Sequence, residues 1–173
     1  KHGVDFIFRN VVDELNNSNL MIGNLETVFY GDETANCLSD ICWAPENIFD
    51  SVTGAGFNIL TLANNHIMDC GNEGLINTIN LLDNNNILHT GAHVSARKAR
   101  EPVILDFGFM SMGVLSYADD EGQTATVNRP GVAEAIEKNI LRDIKALRTK
   151  VDTIILSLHM DLEFSHYPDP YKV

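Results

Sequence analysis

The stretch TLANNHIMDCGNEGL, residues 61–75, begins as the end of a buried strand and then changes character. The apolar run Ile59-Leu60-Thr61-Leu62 gives way to Asn64, Asn65 and His66, then to Asp69, Gly71 and an amphipathic pattern. A short β-prone run, a polar tip and a helical period read together as strand, loop and helix. In open α/β sheets ligands bind beyond the carboxyl ends of the strands, so this tip is a place to look for chemistry.

The rest of the chain repeats the alternation. Helical spacing is present at Phe8, Val11, Val12 and Leu15, at Leu75, Ile76, Ile79 and Leu82, and at Val132, Ile136, Ile140, Ile144 and Leu147. Strands are expected at residues 20–22, 57–62, 103–105, 114–115 and 153–158, with a hairpin around Gly108. Residues 31–46 and 117–131, rich in Gly, Asp, Asn, Thr and Pro, read as loops. The order predicts an α/β domain with a largely parallel sheet. A length of 173 residues at 45% hydrophobic composition fits one domain over 1–173.

A formal charge of −12, from 24 acidic against 12 basic residues, disfavours nucleic-acid binding, and a phosphate-bearing substrate would call for bound metal. No uninterrupted apolar run reaches the length of a membrane span, and no signal peptide is visible. The chain starts Lys-His-Gly, as a mature product or an excised fragment would. Cys37, Cys42 and Cys70 match no zinc spacing. Free thiols are the first expectation, with a Cys37–Cys42 bridge as the alternative in an exported protein.

Three expected strands end in polar groups that suit a site. Residues 20–22 lead to Gly23-Asn24-Leu25-Glu26, residues 57–62 to Ala63-Asn64-Asn65-His66, and residues 153–158 to His159. Each has a plainer reading. Glu26 fits a solvated loop, Asn64, Asn65 or Asp69 a helix cap, and either histidine a structural hydrogen bond. Their coincidence at three strand ends favours a site. Carboxylate, amide and imidazole together suit Mn²⁺, Fe²⁺ or Zn²⁺. His2, His89, His93 and His166 are weaker candidates, with His166 the one nearest Glu163 and His159 in sequence.

Asn24-Leu25-Glu26, the run Leu62 to His66 with Asp69, Gly71 and Gly74-Leu75, Gly91-Ala92, and Ser157-Leu158-His159 with Glu163 resemble the CapA family of bacterial poly-γ-glutamate capsule synthesis proteins. The resemblance runs in order over nearly the whole chain, and its ANNH…D.G..GL segment is the specific part. It implies a calcineurin-like metallophosphoesterase fold, a four-layer αββα sandwich with a dinuclear metal centre. By the same resemblance, Glu26 is expected to be a bridging metal carboxylate, Asn65 a ligand and His159 a ligand of the second metal. His66 is expected to be the general acid, its ring oriented by Asp69. The family's first strand, ending in Gly-Asp, would precede Lys1, and its Gly-His-His-Pro-His segment would follow Val173. His159-Met160-Asp161 stands where the family has His-Trp-Gly.

The function implied is capsule poly-γ-glutamate synthesis or export, with a metal-dependent phosphoesterase-like hydrolase site. The expected partners are an anionic polymer or phosphate ester and capsule synthesis subunits, at the cell surface. The rival expectations are a non-catalytic scaffold of the capsule machinery and a soluble phosphatase of small metabolites.

Overall fold

The structure is a computed structural model that describes residues 6–31, 37, 42–119 and 122–160. His2, Asp161, Glu163 and His166 lie outside the described residues. The helices are α1 (Val12–Asn16), α2 (Asp50–Gly54), α3 (Gly71–Asn84), α4 (Ala96–Ala99) and α5 (Glu137–Leu147). The strands are β1 (Ile22–Asn24), β2 (Val28–Phe29), β3 (Trp43–Ala44), β4 (Ile59–Thr61), β5 (Leu88–Thr90), β6 (Ala92–His93), β7 (Val103–Asp106), β8 (Ser111–Ala118), β9 (Gly131–Val132) and β10 (Thr153–His159). This is a mixed α/β fold built on several small sheets. Among the described residues no helix is long and apolar enough to cross a membrane.

One sheet has the order β1-β4-β5, all parallel, with Asn24 opposite Thr61 and Thr61 opposite Thr90. The carboxyl ends of its strands are therefore level. A second sheet has the order β10-β8-β7, in which β10 runs parallel to β8 and His159 stands opposite Ala118. β7 and β8 are the two arms of the expected hairpin, antiparallel, with Gly108 at a φ of +79° in the turn. The pairs β2-β3 and β6-β9 form two further small sheets.

Alternation of side chains along the strands distributes the core. Ile59 of β4, Val103 of β7 and Val114 of β8 pack together with Ile22, Leu105 and Ile155, so one cluster lies between the two three-stranded sheets. Leu60, next to Ile59, faces the other way into a cluster with Leu75, Ile79 and Leu82 of α3. Leu115 and Tyr117 of β8 likewise turn toward Leu147, Ile140 and Ile144 of α5. Gly91, at a φ of +106°, sits where the sheets meet, and a Cβ there would lie 2.6 Å from the Ala63 nitrogen and 2.9 Å from Ser116 Cβ.

Four local expectations are corrected. Val132 is fully buried in β9 and pairs with Ala92, so the last long helix begins at Glu137; the apolar spacing through Val132 mixed a strand contact with a helical face. The loop read over 31–46 contains β3, and the loop read over 117–131 includes the end of β8 and the start of β9. The short β5 and β6 were not expected at all. Finally, Cys37 bonds to Cys70, neither the free thiols nor the Cys37–Cys42 bridge that sequence spacing suggested. The two Cα atoms are 4.7 Å apart across a separation of 33 residues, a contact that only the fold could create.

Candidate functional site

The turn after β4 is organised by Asn64, whose surface is fully buried. Its Oδ1 accepts the backbone N–H groups of His66 at 3.1 Å and Ile67 at 2.9 Å. Its Nδ2 donates to the Leu25 carbonyl at 2.8 Å and to Asn24 Oδ1 at 3.1 Å. Asn64 therefore shapes the tip of β4 and ties it to the tip of β1, rather than capping α3. Asn24 in turn donates to Glu26 Oε2 at 2.8 Å, holding that carboxylate beside the β1 end.

His159, Asn65, His66 and Asp69 then form one hydrogen-bonded relay, with the Glu26 carboxylate beside its open end. Glu26 Oε1 lies 3.8 Å from His159 Nε2, and His159 Nε2 lies 3.0 Å from Asn65 Oδ1. Asn65 Nδ2 is 3.3 Å from His66 Nε2, and His66 Nδ1 is 2.9 Å from Asp69 Oδ2. The amide has one donating and one accepting end, so its two contacts fix the ring tautomers. His159 Nε2–H donates to Asn65 Oδ1, Asn65 Nδ2–H donates to His66 Nε2, and His66 Nδ1–H donates to Asp69. His66 Nε2 thus faces the Asn65 amide while its Nδ1 faces the Asp69 carboxylate.

The relay runs from open to enclosed. Glu26 and His159 side chains are 45% and 32% exposed, against 14% for His66 and 7% for Asp69. Asp69 also accepts the Cys42 backbone N–H at 3.2 Å, so its carboxylate is held from two sides. It does not cap α3, whose N-cap position is Cys70 and carries no side-chain cap bond. Cys70 carries the disulfide to Cys37, and Asp69 thus stands next to a covalent anchor.

Gln123 was not singled out in the sequence, because it falls in a stretch that reads as an ordinary surface loop. Its Nε2 donates to the Asn65 carbonyl at 3.1 Å and supports the residue at the middle of the relay. His89 and His93 lie apart from the site, with ring centroids 6.0 Å from each other and His89 Nε2 3.1 Å from Asp83. Among the described residues no group of three or more His, Cys, Asp or Glu side chains is arranged to hold a metal ion.

An α/β protein with carboxylate, amide and imidazole gathered at level strand ends is the class that fold and geometry define. The whole chain, residues 1–173, matches the family described as bacterial capsule synthesis protein PGA_cap, and the chain belongs to that family. It is 27% identical to the capsule biosynthesis protein CapA of Bacillus anthracis, over 98% of this chain and 44% of that protein. It is 26% identical to a probable polyglutamine synthesis accessory protein of Mycobacterium tuberculosis, over 87% of this chain and 43% of that one. The PGA biosynthesis protein CapA of Bacillus subtilis matches at 26% identity over 65% of this chain and 30% of its own length. The chain spans less than half the length of these curated relatives.

Proposed function

We propose that this chain is part of a bacterial protein of poly-γ-glutamate capsule synthesis or export, with a metal-dependent phosphoesterase-like site at the ends of β1, β4 and β10. The observation that carries the proposal is the relay from His159 through Asn65 and His66 to Asp69, with the Glu26 carboxylate at its open end. The relatives named for capsule biosynthesis and polyglutamine synthesis support the biological context. A four-layer αββα sandwich is the architecture we propose, supported by core clusters on both outer sheet faces and one between the sheets.

Glu26, Asn65 and His159 would hold a divalent ion such as Mn²⁺, Fe²⁺ or Zn²⁺, with a second ion in the full-length protein. Donors around one ion with bonds of about 2.1 Å lie roughly 3.0–3.5 Å apart, and Asn65 Oδ1 and Glu26 Oε1 lie 3.0 and 3.8 Å from His159 Nε2. The Asn65–His159 spacing falls within that range, the Glu26 oxygen lies just outside it, and the donor types suit such an ion. When bound, the ion would polarise a phosphoryl oxygen and make a nucleophile of bound water near neutral pH. His159 would bind through Nε2 as the tautomer that carries its proton on Nδ1. His66 would hold or deliver a proton at Nε2 while Asp69 keeps its ring oriented. The Cys37–Cys70 disulfide supports a location at the cell surface, since such bonds persist in oxidising compartments. The partners proposed are a phosphate ester or anionic polymer and the other capsule synthesis subunits.

A non-catalytic accessory role is the second reading. It is supported by the relative named as a probable polyglutamine synthesis accessory protein. Melting temperature with Mn²⁺ or Zn²⁺, and hydrolysis of a generic phosphate ester, separate the readings. Metal should raise the melting temperature by selective binding to the native state, and Glu26→Ala should abolish the rise. A rise that persists in Glu26→Ala would overturn the ligand assignment. If the chain hydrolyses the ester, His66→Ala should slow turnover by roughly 10²–10⁴-fold, and metal binding without turnover would favour the accessory reading.

A further inference from the structure

Two links join the turn that carries Asp69 to the segment leading into β3. One is the hydrogen bond from the Cys42 N–H to Asp69 Oδ2 at 3.2 Å, and the other is the Cys37–Cys70 disulfide. Cys37 shortly precedes Cys42 and Cys70 directly follows Asp69, so the two links close one small ring of chain. Within the turn, the Asp69 N–H donates to the His66 carbonyl at 3.0 Å and the Gly71 N–H to the Met68 carbonyl at 2.7 Å. Those bonds shape the turn, while the two links set its position against β3. Cys70 also occupies the N-cap position of α3, where a polar side chain often pins the first turn of a helix. It makes no such bond, and its sulfur joins Cys37 instead.

The oxygen that meets the Cys42 N–H is the same Oδ2 that faces His66 Nδ1 at 2.9 Å. The position of this one atom therefore decides whether the His66 ring is held. A single hydrogen bond contributes little net free energy, whereas a covalent link keeps its partners at high effective concentration each time the bond opens. The disulfide is thus the stronger of the two links, and it is the one that depends on the surroundings. Disulfides persist in oxidising compartments, and cytosolic thiol systems keep cysteines reduced. A dithiol reductant attacks one sulfur as a thiolate, expels the other, and then closes on itself as a cyclic disulfide. Two electrons pass to the protein, and Cys37 and Cys70 are left as thiols.

We propose that the Cys37–Cys70 disulfide is a redox switch on the relay: oxidised, it fixes Asp69 against the His66 ring, and reduced, it releases that hold, so the site is completed only in an oxidising compartment. The inference names the regulation of the proposed site and rests on that reading for its catalytic consequence. The structural step, from disulfide to Asp69 to His66, can be measured without metal or substrate.

The test uses this chain carrying Cys42→Ser, which keeps the backbone N–H on Asp69 and removes the third thiol as an exchange partner. With isotopically labelled histidine, the Nδ1 proton of His66 is followed by nuclear magnetic resonance and assigned by its loss in His66→Gln. The signal should be present in the oxidised chain, and excess dithiothreitol should speed its exchange with water by about tenfold or more. Adding Cys37→Ser should reproduce the fast exchange without reductant and abolish any response to it. The ring signals of His89, which lies apart from the site, should not move. Circular dichroism reports whether each form is folded at the temperature used. A folded, reduced chain with unchanged His66 exchange would overturn the switch. So would a reduced chain that unfolds as a whole or changes equally at His89, since the disulfide would then be a general staple. The Mn²⁺-induced rise in melting temperature and ester hydrolysis, measured on the same samples, keep the two readings apart. Absence of both in the oxidised chain, with disulfide-dependent exchange at His66 preserved, would overturn the catalytic reading and leave the switch standing. A normal Mn²⁺ response with His66 exchange indifferent to reduction would overturn the switch and leave the metal reading intact.

Discussion

Replacing Asn64 tests the idea that one buried amide sets the geometry of the whole site. Its side chain is fully buried and makes four hydrogen bonds, two as acceptor from His66 and Ile67 and two as donor to Asn24 and Leu25. At a net contribution of about 1 kcal/mol for each bond, Asn64→Ala should lose roughly 4 kcal/mol, a large part of the 5–15 kcal/mol that stabilises an ordinary domain. Asn64→Asp keeps the two accepting contacts but turns a carboxylate oxygen toward the Leu25 carbonyl and Asn24 Oδ1. That buried charge faces acceptors, so its folded-state pKa should be raised above the ordinary aspartate value. A raised carboxyl pKa means that the folded state binds the proton more tightly, and the Asp variant should lose stability as pH rises through the carboxylate range. The assay is equilibrium urea denaturation followed by circular dichroism, at pH 4 and pH 7. An Asn64→Ala loss below about 1 kcal/mol at unchanged m-value would refute the reasoning, because it would show that water or backbone shifts replace the amide at little cost.

Reduction of the Cys37–Cys70 disulfide, which spans a separation of 33 residues, should cost about 3–4 kcal/mol on a chain-entropy estimate. Calorimetry with and without reductant should show the loss, and Cys37→Ser should reproduce it and be insensitive to reductant. Tyr117 is fully buried and its hydroxyl donates to Asp143 Oδ2 at 3.0 Å, a carboxylate also gripped by Arg100 at 2.7 and 3.1 Å. Burial, followed by the Asp143 charge and the hydrogen bond, raises the phenol pKa in the folded state. Tyr117→Phe should therefore cost about 1.5–3 kcal/mol below pH 10. Because the raised pKa makes the folded state keep its proton, the wild-type advantage should shrink as pH rises above 10, as denaturation at pH 8 and pH 11 would show.

Period and punctuation in the sequence determined the local elements of this protein. An apolar run too short for a helix and bounded by polar residues fixes β4, while Leu75, Ile79 and Leu82 fix the buried face of α3. The groups at the tips of β1, β4 and β10 were legible for the same reason, since a strand that ends in Asn-Asn-His or Glu spends polar residues where a simple turn would use Gly or Pro. What each group touches was not legible. Asn64 and Asn65 are neighbours of one residue type, yet one is a buried brace and the other is the link between two histidines. That division depends on where β1 and β10 lie beside β4, and local propensity carries no information about separations of 39 or 94 residues. The Cys37–Cys70 bond, the Gln123 support and the removal of Val132 from the helix belong to the same class. Each is a contact whose free energy arises only when distant segments have been packed together, so only the tertiary structure decides it.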